Sequence, residues 1–367
     1  MSDIVTLLIG GKAHDAWESY SIDSDLILPA DDFQLTVSYG AEGQLPDFVF
    51  EGARAQVMIN DAIVLDGIID TIEEEVSKEN VTVELGGRDR ASQLLDCSVP
   101  LLHLQNATLA DIIKQAVTPL GIKAVQYKAK PSDPRQTVHT EPGQSAWEWL
   151  KAACEANQVW PWMAPDGTLV IGQPDYTSAP VASLIMRRNG DGNNVVRVRR
   201  TRSLHQVWSE VTVLGQSQGE DGEVGQNDLH GVAKDPSVPL YRPHVVVDGN
   251  CESDALATRR AAKILADGKM ARDRIAVTVQ GHRIDDDGKL WEPGQRVQLL
   301  SEPHGINAVY FLIKRTFTLS RNDGPQTQLH LIADGTWLLN LGFIKAKRRS
   351  SYGTRKGHYA TAAGSEE

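Results

Sequence analysis

Long apolar runs are missing from this sequence: no stretch approaches the roughly 18–20 apolar residues that a membrane-crossing helix needs, so no stable membrane insertion is expected. The opening Met1-Ser2-Asp3-Ile4 lacks the basic residues and apolar core of a secretion signal, which sets the expectation of folding in the cytoplasm of the producing cell. Cysteine is scarce. Cys97, Cys154 and Cys251 are odd in number, widely spaced and without a CxxC pair, so neither a disulfide framework nor a zinc site is expected. Positive charge is also short, with 37 Lys and Arg against 48 Asp and Glu and a net charge of −11. A dedicated nucleic-acid binder carries the opposite balance, because its cations must neutralise phosphates.

Catalytic signatures are absent as well. There is no HExxH, GxSxG or GxxxxGK[ST]. Gly10-Gly11-Lys12 lacks the upstream glycine and following hydroxyl of a phosphate loop, and Asn189 to Asn193 lacks the glutamate spacing of a calcium loop. Asp285-Asp286-Asp287-Gly288 is the sharpest acidic cluster, but adjacent aspartates point in different directions, and a turn is the expectation. The ten histidines are scattered, with no His-x-His or His-x3-His pair. No catalytic, cofactor-binding or metal-ligating residue is singled out, although carboxylates are abundant enough to leave a glycosidase-like pair open. Trp147/Trp149 and Trp160/Trp162 could form a carbohydrate platform, and core packing beneath the neighbouring helix is the preferred reading.

What is present reads as an α+β protein, mainly β. A hydrophobic share of 41% and a charged share of 23% can fill ordinary globular cores. Residues 1–97 carry short strands: Ile4 to Ile9, the alternating Phe33 to Val37, Val57 to Ile59, Ile63 to Ile72, and Val81 to Leu85. They predict a small antiparallel barrel or sandwich. Residues 98–182 predict a small α+β unit, with one helix capped by Thr108 and another by Ser145, then a hairpin at Asp166-Gly167. Residues 183–340 predict a second barrel, interrupted at about 216–272 by a polar loop and a helix from about Ser253 to Met270. Residues 341–367 lose hydrophobic periodicity and are expected to form a flexible basic tail.

A weak internal repeat links the two barrel segments. Gly52 to Ile59, Ile63 to Ile72 and Val81 to Leu85 follow the same order as Gly294 to Leu299, Val309 to Thr318 and Gln328 to Leu331. Each series is a short strand, a long apolar strand and an alternating strand. Two equivalent barrels per chain would let three chains close a pseudo-sixfold ring in which every head-to-tail interface is satisfied.

Three strings of residues carry a family resemblance. They are Leu85-Gly86-Gly87-Arg88-Asp89-Arg90 with Leu94 to Ser98, Gln144 to Leu150 with Ala164 to Leu169, and Gly281-His282-Arg283 with Gly288 to Gly294. Their order resembles the Mu-like baseplate hub family of contractile phage tails, related more distantly to the N-terminal part of the type VI secretion spike protein VgrG. The resemblance implies a homotrimer of two tube-type barrels per chain, set in the virion between the hexameric tail tube and a trimeric spike. Expected partners are therefore further copies of itself, the tail tube protein, the central spike protein and other baseplate proteins. DNA would pass through the channel without specific binding, and the net charge suggests an acidic lumen that lets phosphates slide. No β-helical spike follows the hub region, so the spike is expected to be a separate polypeptide. Lys345, Lys347, Arg348 and Arg349 in the tail are the expected spike contact. The same ring could serve a tailocin or a type VI-like secretion machine, and a tail-associated cell-wall hydrolase is the third alternative.

Overall fold

A computed structural model describes residues 3–40, 45–129, 135–140, 142–155, 157, 159–215, 229–248, 251, 253–285 and 288–337. The first seven strands are β1 (Val5–Ile9), β2 (Lys12–His14), β3 (Ser19–Asp25), β4 (Asp32–Gly40), β5 (Arg54–Ile59), β6 (Ala62–Val76) and β7 (Asn80–Asp89). Period-two alternation sets their faces. In β7, Val81, Val83 and Leu85 are buried while Thr82, Glu84 and Gly86 look the other way.

A mixed unit follows, comprising α1 (Ser92–Asp96), β8 (His103–Ala107), α2 (Leu109–Val117), β9 (Val125–Tyr127), β10 (Arg135–His139), α3 (Ala146–Glu155), β11 (Trp160–Met163) and β12 (Leu169–Gly172). Thr108 and Asp111 form a reciprocal capping box at the start of α2, and the Ser145 hydroxyl accepts from the Glu148 amide at 3.2 Å. The apolar face of α2 (Leu109, Ile112, Ile113, Ala116 and Val117) packs with Trp147, Trp149 and Leu150 of α3 into a separate core. Asp166-Gly167 makes the β11–β12 turn, with Gly167 at φ +81.

The chain then lays down β13 (Ala182–Met186) and β14 (Arg197–Arg202) before leaving the large sheet. Strands β15 (Glu210–Leu214), β16 (His230–Lys234) and β17 (Pro243–Val247) form their own sheet, covered on one face by α4 (Asp254–Arg272). Residues 183–340, expected to form one barrel interrupted by a loop and a helix, therefore supply strands to two sheets. Residues 216–228, most of the expected polar loop, lie outside the described residues. Ser253 caps α4 by accepting from the Leu256 amide at 3.3 Å. The chain returns through β18 (Asp273–Gln280), β19 (Arg296–Ser301), β20 (Ile306–Ser320) and β21 (Gly324–Ala333).

The internal repeat is present as strand order. Neighbours run β3-β4-β7-β6-β5-β1 in the first half and β14-β18-β21-β20-β19-β13 in the second. Strands β5, β6 and β7 hold 6, 15 and 10 residues, and β19, β20 and β21 hold the same numbers. The halves differ at their far ends, where β1 runs antiparallel to β5 but β13 runs parallel to β19. They are joined edge to edge. Residues Lys314 to Leu319 of β20 pair antiparallel with Asp25 to Tyr20 of β3, so one sheet of 13 strands crosses the molecule. A single apolar core lies along it, holding Ile22, Phe33 and Ile69 from the first half with Val277, Leu312 and Phe317 from the second.

Candidate assembly interface

The join between the halves is built from a strand with few apolar residues. In Ser19-Tyr-Ser-Ile-Asp-Ser-Asp25 only Tyr20 and Ile22 turn inward. The Tyr20 hydroxyl lies 2.7 Å from His282 Nε2, and His282 Nδ1 lies 3.2 Å from the Thr327 hydroxyl, so a buried polar chain crosses the join. Burial pushes His282 down to about 4, which keeps the imidazole neutral. On β20, Arg315 is buried, donates from Nη1 to the Ile22 carbonyl at 3.1 Å, and holds its guanidinium 3.9 Å from the centre of the Phe317 ring. On the opposite face Lys314 pairs with Asp23, whose second oxygen accepts from the Thr316 hydroxyl at 2.6 Å.

Two further carboxylates sit behind this join. The Asp31 carboxylate accepts from the Asp25 amide at 2.9 Å, and Asp89 accepts from the Ala91 amide at 2.8 Å. Burial pushes Asp31 up to about 7, against hydrogen bonds from Ser24 and Asp25 and the charge of Arg315, which favour the anion. Asp89 is raised as well, by burial and then by the charge of Asp31. A carboxyl that titrates higher when folded stabilises the fold most below its unfolded value, and that stability is lost as pH rises through about 7. Asp31→Asn mimics the protonated form and keeps the acceptor. The variant is expected to melt higher than the parent at pH 8, with the gap closing toward pH 5. Parallel melting curves across that range would refute the assignment.

From β14 to β6 the sheet follows an eight-strand path, β14-β18-β21-β20-β3-β4-β7-β6. Its face away from the core carries Gln328, Thr316, Thr318, Ser21, Gln34, Thr36, Thr82 and Gly86 between charged residues of both signs. Asp23, Asp25, Asp32, Asp70, Glu73, Glu75 and Glu84 outnumber Arg88, Arg197, Arg199, Arg274 and Lys314 there. This surface therefore shares the acidity of the whole chain.

The other residues singled out in the sequence fall elsewhere. Trp147, Trp149 and Trp160 are buried, and Trp162 packs against the cluster around Trp160, Phe311 and Trp337, so both pairs serve packing. Gly10 and Gly11 form the β1–β2 turn at φ +56 and +78. Asp285 lies in a turn closed by the Ile284 amide donating to the Lys289 carbonyl at 2.7 Å, while Asp286 and Asp287 lie outside the described residues. Cys154 and Cys251 are buried, and all three cysteines are free. Among the described residues no group of three His, Cys, Asp or Glu side chains is placed to hold a metal. Lys345, Lys347, Arg348 and Arg349 lie outside the described residues. The strands expected over residues 1–97 do not include β3. The period-two placement of Tyr20 and Ile22 is the signal that could have found β3.

Four family models divide this architecture between them. Residues 4–89 match the N-terminal domain of GpP-like Mu phage baseplate assembly proteins, and 91–173 match the second domain of gp44-like baseplate hub proteins. Residues 208–265 match the third domain of NMB1110-like tail proteins, and 267–336 match the corresponding tail-protein C-terminal domain. The chain is 38% identical to a tail protein of Neisseria meningitidis MC58, with a TM-score of 0.81 over 92% of this chain and 98% of that one. The 43 kDa tail protein of prophage MuSo2 from Shewanella oneidensis shares the fold at a TM-score of 0.81 and 23% identity, covering 91% and 99% of the two chains. Baseplate hub protein gp44 of Escherichia phage Mu is 25% identical over 351 residues, which is 90% of this chain and 88% of gp44. Fold and sequence together define a phage tail protein. Within that class, the chain belongs to the Mu-like baseplate hub family.

Proposed function

We propose that the chain is the structural, non-enzymatic hub of a phage baseplate, and that three copies close a pseudo-sixfold ring joining a hexameric tail tube to a trimeric spike. The observation that carries this reading is the repeated strand order within one chain, which supplies two equivalent units per copy and six per trimer. Each half-sheet is read as one tube-type barrel of the ring, and the face away from the core is read as the lumen wall. That wall carries more carboxylates than cations and is rich in hydroxyl and amide groups, so it offers DNA no excess of cations to grip. The excess of carboxylates supports reading this wall as an acidic lumen along which phosphates slide. The tail tube, the spike and other baseplate proteins are the proposed partners, and the virion baseplate is the proposed location. The basic residues Lys345, Lys347, Arg348 and Arg349 are retained as the proposed spike contact. Negative-stain images of the purified protein test the reading. Threefold rings with a central hole are expected, and compact particles without a hole would count against it.

A further inference from the structure

One half of the repeat has a partner that the other half lacks. The two halves share a local hydrogen-bond frame. The Gly52 amide donates to the Ile69 carbonyl at 2.8 Å and the Ile69 amide to the Ala53 carbonyl at 3.0 Å. In the second half the Gly294 amide donates to the Leu312 carbonyl at 2.8 Å and the Leu312 amide to the Gln295 carbonyl at 2.9 Å. One residue is then skipped in both ladders, between Ile69 and Thr71 and between Leu312 and Lys314. Thr71 to Val76 of β6 therefore match Lys314 to Leu319 of β20. Beyond the frame, β20 carries β21 on one side and β3 on the other. Residues Thr71 to Val76 carry β7 on one side and, among the described residues, no strand on the other. Val76 is 72% exposed there.

The strand matching β3 is β14, because β3 pairs with β4 as β14 pairs with β18. Strand β14 also has a free side, since β18 is its one neighbour among the described strands. The free edges carry opposite charge: Glu73, Glu74 and Glu75 on β6, against Arg197, Arg199, Arg200 and Arg202 on β14. Long unpaired edges are an aggregation hazard that folds must cover or guard. One sign of charge on each edge repels pairing of like with like and favours pairing of β6 with β14.

We infer that β14 of one copy adds antiparallel to the outer half of β6 in the next copy, a head-to-tail contact between copies of this chain that repeats the internal β3–β20 join. The register follows from the internal one. Thr318 faces Ser21 and Phe317 faces Ile22 within the chain. Carried through β4–β7 and β18–β21, this sets Glu75 opposite Arg199, Glu74 opposite Arg200 and Val76 opposite Val198 of the neighbouring copy. The contact is heterologous, so it must close on itself to bury every edge. The inference rests on the proposed ring and specifies its joint.

Charge reversal of the full chain tests it, read by native mass with melting temperature as the check on folding. E73K/E75K and R197E/R199E alone are each expected to remain folded and monomeric at a concentration where the parent is fully trimeric. The four changes combined in one chain are expected to restore the trimer. As a second readout, E75C/R199C is expected to give a covalent ring of three chains on mild oxidation, because directly opposed residues lie within reach of a disulfide. A trimeric parent whose single-edge reversals stay trimeric, or whose cysteine pair fails to link, would overturn the joint while leaving the ring standing. A monomeric parent would overturn both.

Discussion

Gly87→Ala is expected to destabilise the protein by at least about 3 kcal/mol, at or beyond the upper end of ordinary overpacking costs. Strand β7 passes so close to its neighbours that a Cβ on Gly87 would stand 2.3 Å from the Ile68 carbonyl oxygen and 2.4 Å from the edge of the Phe33 ring. The first obstacle is backbone and cannot rotate away. The second is a fully buried ring on the paired strand, directly opposite Gly87. Gly86 provides the control. Its Cβ would point to the polar face and meet Thr71 at an ordinary 3.6 Å, so Gly86→Ala is expected to be neutral or slightly stabilising. Urea unfolding of the two variants decides the matter. Equal losses would mean that the facing of β7 is wrong, and with it the assignment of core and polar sides.

Phe317→Ala should cost about 3–5 kcal/mol, the usual range for emptying a buried aromatic site. Phe317 is fully buried, faces Ile22 across the β20–β3 join, lies 4.7 Å from the His282 ring and supports the Arg315 guanidinium. Truncation therefore leaves a cavity and strips a buried cation of its ring contact. Because one core spans both halves, the loss should be felt on both sides of the join. Amide exchange is expected to accelerate in β4 and in β18 together. Acceleration confined to one half would mean that the halves are energetically independent.

How much of this was readable follows from where each signal lies. Helix α2 was legible because Thr108, Asp111 and the apolar spacing from Leu109 to Val117 all act within a few turns of chain. The hairpin at Asp166-Gly167 was equally local. Strand β3 was not, because two apolar residues among serines and aspartates acquire meaning only when β20 arrives from the far end of the chain. Strands β16 and β17 were hidden for a related reason: both are edges of a small sheet, where β16 offers only Val232 and Ala233 as apolar side chains and the three valines 245–247 of β17 follow a proline and a histidine. The four arginines of β14 lack a hydrophobic pattern because the strand is an edge. The family resemblance was carried by Gly86-Gly87 and by His282, and the structure gives two of these residues a physical role. Gly87 makes room for Phe33, and His282 bridges Tyr20 and Thr327 across the join.

The central claim is that the chain is built to close a ring of three. Light scattering behind a sizing column measures this most directly on the full-length protein. The account predicts a particle of three times the 40.2 kDa chain mass, and a particle that stays at 40.2 kDa at every concentration tried would contradict it.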